Sequence, residues 1–144
     1  MPTSQNNWTW QCDRLIPSDA VVGRQLLDDV LRQLETLHWG HHDIFGVHLA
    51  LDEALVNAIF HGNAHDETKR VRFACRLSPE RIHVEISDEG PGFDPDSLPD
   101  PTTPARRGRP GGRGVLLMRA FMSRVEFCDH GSRVVLEKVR DAAG

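Results

Sequence analysis

The spacing of apolar residues changes several times along this chain, and each change marks an element. Trp8 to Cys12 alternates large and polar residues and predicts an edge strand. Pro17-Ser18 opens a helical stretch with Ser18 as its N-cap, and Leu26, Leu27, Val30, Leu34 and Leu37 then recur at helical spacing as far as Trp39. Gly40 interrupts the pattern. A second helix is predicted over Asp43 to His61, closed by Gly62-Asn63 as a C-cap pair. Val71, Phe73, Cys75 and Leu77 share one face of a strand predicted over Val71 to Leu77, and Ile82, Val84 and Ile86 share one face of the next, Arg81 to Ser87. Ser78-Pro79-Glu80 joins the two as a hairpin. Periodicity then disappears between Asp88 and Gly114, a stretch rich in proline and glycine that reads as a long, partly mobile loop. A third helix is predicted from Val115 to Ser123. Val125 to Cys128 and Arg133 to Val139 form a last hairpin. The order β-α-α-β-β-loop-α-β-β predicts an α+β domain with an antiparallel or mixed sheet covered on one face by helices.

Composition narrows the functional classes. At 144 residues the chain suits one domain with one core. A net charge of −4 argues against a general nucleic-acid binder, which needs a basic surface. Uninterrupted apolar runs such as Val115 to Met118 are too short to span a bilayer, and Met1 to Asn7 has no apolar signal region, so no membrane association is expected. Cys12, Cys75 and Cys128 form no CxxC pair, which points away from zinc ribbons and disulfide frameworks and toward a reducing cytoplasm. His38, His41, His42 and His48 match no zinc-ligand spacing.

Three clusters carry candidate chemistry. In the second helix, Val47, Leu51, Ala54, Leu55, Ala58 and Ile59 make one apolar face, and Leu49, Val56 and Phe60 make another, which predicts burial nearly all round. Glu53, Asn57 and His61 fall at i, i+4 and i+8 as a polar stripe between them. A carboxylate there needs a partner; a solvated seam or a structural arginine are the bland alternatives. The second cluster is Asp88-Glu-Gly90-Pro-Gly92 at a strand end. Its acid can accept from the exocyclic amine of a base, and its glycines permit close backbone approach; a plain turn is the alternative. The third is Gly108-Arg-Pro-Gly111-Gly112-Arg113-Gly114, which runs into a helix start as anion-binding backbone does. A flexible linker is the alternative, weakened because the glycines abut the helix.

Together these clusters resemble the nucleotide-binding boxes of the GHKL ATP-binding superfamily, and most closely the bacterial anti-sigma factor serine/threonine kinases. Glu53-Ala-Leu-Val-Asn57-Ala-Ile-Phe-His61-Gly-Asn63 resembles the N box, Asp88-Glu-Gly90-Pro-Gly92-Phe-Asp the G1 box, and Gly111-Gly112-Arg113-Gly114 with the following residues to Met122 the G2 box. Gly131-Ser132 is a fainter echo of the last box. The resemblance implies a two-layer α/β sandwich, the Bergerat fold, with a mixed, mostly antiparallel sheet. It implies ATP and Mg²⁺ as cofactors, with Asn57 ligating the metal through its side-chain oxygen. Glu53 would act as general base, Asp88 would read the adenine amine, and Gly90 and Gly92 would admit the base. Gly111, Gly112, Arg113 and Gly114 would hold phosphates, His61 and Ser132 would line the same site, and residues 94–110 would form a lid ending in Arg106, Arg107 and Arg109. The implied partners are an anti-anti-sigma protein of the STAS type, phosphorylated on Ser or Thr, and a sigma factor; relatives of this type often form homodimers. The alternative function is a regulatory module in which ATP switches protein binding without turnover.

Overall fold

The structure is a computed structural model that describes residues 8–92 and 112–141, with the backbone alone at 112 and 113. The expected lid, 94–110, and Gly111 lie outside the described residues. Among the described residues, five strands and three helices follow the predicted order. They are β1 (Trp10–Pro17), α1 (Ala20–Thr36), α2 (His41–Val56, continued by the wider turn Asn57–Gly62), β2 (Arg70–Leu77), β3 (Arg81–Ser87), α3 (Gly112–Phe121), β4 (Arg124–Cys128) and β5 (Arg133–Val139). The sheet order is β1-β2-β3-β5-β4. All four pairings are antiparallel, so the sheet is the simpler of the two predicted kinds.

The alternation read in the sequence sorts the two sheet faces. Val71, Phe73, Cys75, Leu77, Ile82, Val84, Ile86, Val134 and Leu136 are buried under the helices. They meet Leu26, Leu27, Val30 and Leu34 of α1, Val47, Ala50, Leu51, Ala54 and Leu55 of α2, and Met118 of α3. By length and hydropathy, the helix His41–Gly62 could cross a bilayer. Its apolar residues are instead the centre of this core. The opposite sheet face is tiled with ion pairs: Asp13–Arg72, Arg133–Glu85, and His83 held between Glu85 and Glu137. Arg124 bonds both Glu126 and Glu137.

Three expectations are corrected. β1 runs from Trp10 to Pro17 and not from Trp8 to Cys12, because its register on β2 pairs Trp10 with Leu77 and Pro17 with Arg70. The N-cap of α1 is Asp19, whose carboxylate accepts from the N–H groups of Val21 and Val22. Ser18 is fully buried and serves elsewhere. α2 is also not buried all round: Leu49 and Val56 are half-buried, and Phe60 stands exposed with its ring against His65. α2 and α3 cross closely at Gly46, where a β-carbon would meet the Phe121 ring at 2.9 Å; Phe45 lies edge-on to that ring at 6.1 Å.

Phe73 is among the largest fully buried side chains and faces the helices from the middle of β2. Phe73→Ala should lower folding stability by about 3–5 kcal/mol through lost burial and an unfilled cavity. Chemical denaturation measures this; a loss under about 1 kcal/mol would contradict its place at the centre of the core.

Candidate functional site

Beyond Val56 the second helix leaves α geometry. Asn57–Gly62 forms a π-turn, and the Asn63 N–H donates to the carbonyl of Ala58, five residues back, at 2.9 Å. Such turns are uncommon and cluster at functional sites. This one delivers Gly62 and Asn63 against the end of β3. A β-carbon on Gly62 would stand 2.3 Å from the Asp88 carboxylate, and one on Gly90 would stand 1.8 Å from the Gly62 carbonyl oxygen. Gly92 has φ +81°, and a β-carbon there would lie 2.1 Å from the His130 carbonyl oxygen. Both glycines of this cluster are therefore required by neighbouring backbone, a reason independent of any ligand.

These contacts make a pocket with about 430 Å³ of empty space, partly open to solvent. Ala54, Ala58, Ile86, Met118, Phe127 and Val134 supply apolar lining, and Asn57, His61, Asp88 and Ser132 supply the polar groups. That mixture is typical of small-molecule sites. The Asp88 N–H donates to the Ser132 carbonyl at 2.8 Å, and its carboxylate accepts from the Gly90 N–H at 2.8 Å. Burial pushes the Asp88 carboxyl up to about 6, against the opposing pull of the Gly90 N–H and of Lys69. No cation lies within ion-pair distance of it among the described residues. The Ser132 hydroxyl is spent within the β4–β5 turn, donating to the Asp129 carbonyl at 2.9 Å.

The polar stripe of α2 borders the same pocket. Asn57 Nδ2 and His61 Nδ1 are buried without a hydrogen-bond partner among the described residues, a costly condition in a folded protein. Glu53 is half-buried. Desolvation raises its pKa, neighbouring Asp52 adds to the rise, and His61 opposes it. No structural arginine pairs with it among the described residues. The first turn of α3 closes on this stripe: a β-carbon on Gly114 would stand 2.8 Å from Glu53 Oε2 and 3.8 Å from Asn57 Nδ2. The start of a helix therefore lies beside the acid and the amide.

The structure thus brings together Glu53, Asn57, His61, Asp88, Gly90, Gly92, Gly114 and Ser132. Gly112 begins α3; Gly111 and the Arg113 side chain lie outside the described residues. Sequence reasoning missed Gly62 and Asn63 as site-building residues. The pair satisfies ordinary helix-capping chemistry, so nothing local signalled that both are pinned by a loop 26 residues further on.

Residues 17–138 match the family model described as a histidine kinase-like ATPase domain. The anti-sigma F factor of Clostridium novyi is 30% identical over 103 residues, covering 67% of this chain and 71% of that protein. The serine-protein kinase RsbW of Oceanobacillus iheyensis is 24% identical over 129 residues, covering 85% and 80%. Among solved structures, the RsbU and RsbW domains of a Mycobacterium tuberculosis protein superpose with a TM-score of 0.61 at 17% identity, covering 92% of this chain and 32% of that one. This last likeness shows the shared fold.

The Asp88 carboxyl gives a test that needs no ligand. Its folded pKa is raised, so the native state binds the proton more tightly than the unfolded chain. Asp88 should therefore subtract stability from the ligand-free protein as pH climbs from about 4 through about 6, while the lowered carboxyls Glu85 and Glu137 act in the opposite sense, so its share is read as the difference between wild type and variant. Asp88→Asn keeps the acceptor for the Gly90 N–H and removes the partly buried charge. It should stabilise the ligand-free protein at pH 7.5 by about 1–2 kcal/mol, after allowance for partial solvent screening, and by less at pH 4.5. Denaturant midpoints at pH 4.5 and 7.5 decide it; equal stability of the two proteins at both values would remove the burial cost from Asp88.

Proposed function

From the premise that this chain belongs to the histidine kinase-like ATPase family, and within it to the anti-sigma kinase type, we propose that it is a serine/threonine protein kinase. It would transfer the γ-phosphoryl group of Mg-ATP to a hydroxyl of an anti-anti-sigma partner and also bind a sigma factor. The observation that carries this reading is the seating of Gly114 on Glu53 and Asn57. It sets a helix N-terminus, suited to phosphate oxygens, beside a carboxylate and an unpartnered amide.

The residues fit Mg-ATP. Ionised Asp88 is an acceptor-only group in the pocket lining, suited to the adenine amine. Ala54, Ala58, Ile86 and Met118 give the base an apolar bed. Asn57 offers a neutral oxygen ligand for Mg²⁺, and its Nδ2, which has no partner among the described residues, can donate to a phosphate oxygen. The metal ion would screen the phosphate charge. Glu53 takes the proton from the incoming hydroxyl as that oxygen bonds to the γ-phosphorus, while the bridging oxygen departs with ADP. Its raised pKa makes it a stronger base than an exposed glutamate. His61 beside it can hydrogen-bond the phosphates through Nδ1. The relatives named anti-sigma F factor and serine-protein kinase support a sigma factor and a protein substrate as partners, and the resemblance supports the anti-anti-sigma class.

Glu53→Gln keeps shape and helix propensity but cannot take a proton. Phosphate incorporation from γ-labelled ATP into a candidate STAS-type partner should fall by on the order of 10²–10⁴-fold, with Mg-ATP affinity nearly unchanged. Equal phosphorylation by variant and wild type would remove Glu53 from the chemistry. Absence of transfer by the wild type, with ATP still altering partner binding, would favour a nucleotide-driven binding switch. Asn57→Ala should weaken Mg-ATP while leaving metal-free ADP binding near wild type; an equal loss for both ligands in calorimetry would make Asn57 a structural residue.

A further inference from the structure

We infer, on the premise that the pocket reads adenine through Asp88, that Asn63 and the Ser18 hydroxyl behind it are positioning residues that set the preference for adenine over guanine. Asn63 does not line the pocket. It is fully buried at the end of the π-turn. Its Oδ1 accepts from the Glu89 N–H at 2.7 Å. Its Nδ2 donates to the Arg70 carbonyl at 3.0 Å and to Ser18 Oγ at 2.8 Å. Ser18 passes its own proton to the Lys69 carbonyl at 2.8 Å. The orientation of the amide is forced, because the Glu89 N–H can only donate and the Arg70 carbonyl can only accept. One buried side chain thus ties the turn before α1, the first residue of β2 and the residue that follows Asp88.

The effect on Asp88 follows from the hydrogen bonds around it. Three successive N–H groups go to three different acceptors: Asp88 to the Ser132 carbonyl, Glu89 to Asn63 Oδ1, and Gly90 to the Asp88 carboxylate. The backbone of Asp88 and of the residue after it is thereby pinned, and the carboxylate itself is fixed in the pocket lining by the Gly90 N–H. A fixed acceptor attracts the amino group that adenine carries at position 6 and repels the carbonyl that guanine carries there. A mobile one gives up both the attraction and the repulsion, so it is discrimination that immobility secures. Phosphate and metal contacts are the same for both nucleotides and do not pass through Asn63.

The test is the ratio of ADP to GDP affinity, measured by calorimetry on the full chain in Mg²⁺ for wild type, Asn63→Ala and Ser18→Ala. Circular dichroism checks the fold of each protein. Wild type should prefer ADP. Asn63→Ala should cut that preference by about tenfold or more, the scale of a hydrogen bond to a charged group. Ser18→Ala should cut it by less, because Nδ2 keeps the Arg70 carbonyl. A purely structural role would weaken both nucleotides alike and leave the ratio unchanged. That result in folded Asn63→Ala overturns the inference while leaving the nucleotide site intact. Should Asn63→Ala fail to fold, Ser18→Ala decides, and an unchanged ratio there overturns it. A wild-type protein with no preference for ADP overturns the adenine reading itself, and the inference with it.

Discussion

Gly90 packs so tightly on the helix end that a β-carbon would stand 1.8 Å from the Gly62 carbonyl oxygen, and the pocket depends on that contact. It brings the end of β3 onto the end of α2, beyond the core that the two elements already share. It requires glycine on both sides, since a β-carbon on Gly62 would strike the Asp88 carboxylate. Asn63, next in the chain, then fixes the joint with hydrogen bonds to Glu89, Arg70 and Ser18. The π-turn supplies the displaced register that aims Gly62 and Asn63 at this junction. The joint is therefore a property of backbone shape first and of side-chain chemistry second.

The two faces of the sheet treat charge in opposite ways. On the open face, carboxylates meet arginines or His83, and burial of Glu85 and Glu137 is outweighed by their partners, which hold both below the usual carboxylate range. Under the helices, Asp88 is half-buried with no such partner among the described residues, and its pKa rises. Asn57 and His61 have buried polar atoms without a partner among the described residues. Polar groups left costly in one place, in a fold that pairs them elsewhere, are the physical mark of a site built for something that arrives from solvent.

Much of this was legible in the sequence where a pattern is local. β3 and β5 have the bounds their alternation and turn residues predict, and among the described residues the polar stripe of α2 lies beside both Asp88 and Gly114. What was illegible is long-range. Ser18 and Asp19 are both good caps, and only the fold shows that Asp19 caps α1 while Ser18 reaches Lys69, 51 residues away. β1 lacks clean alternation, since Asp13, Arg14 and Leu15 are all exposed, so its extent is set by pairing with β2. The π-turn has the composition of ordinary helix. Gly90 and Gly92 look like ligand-admitting glycines, yet each already answers to protein backbone. Phe60 was expected inside from periodicity, but the helix geometry changes at Asn57 and carries it to the rim.

The central claim is that nucleotide enters between α2, the Asp88–Gly92 turn and the start of α3. Titrating Mg-ADP into ¹⁵N-labelled protein and following backbone amide shifts tests it most directly. The account predicts that Asn57, His61, Asp88, Gly90, Gly92 and Gly114 shift together and saturably, while Arg72, Glu85 and Arg133 on the open sheet face stay still. Saturable shifts confined to the open sheet face, or none at millimolar ADP, would contradict it.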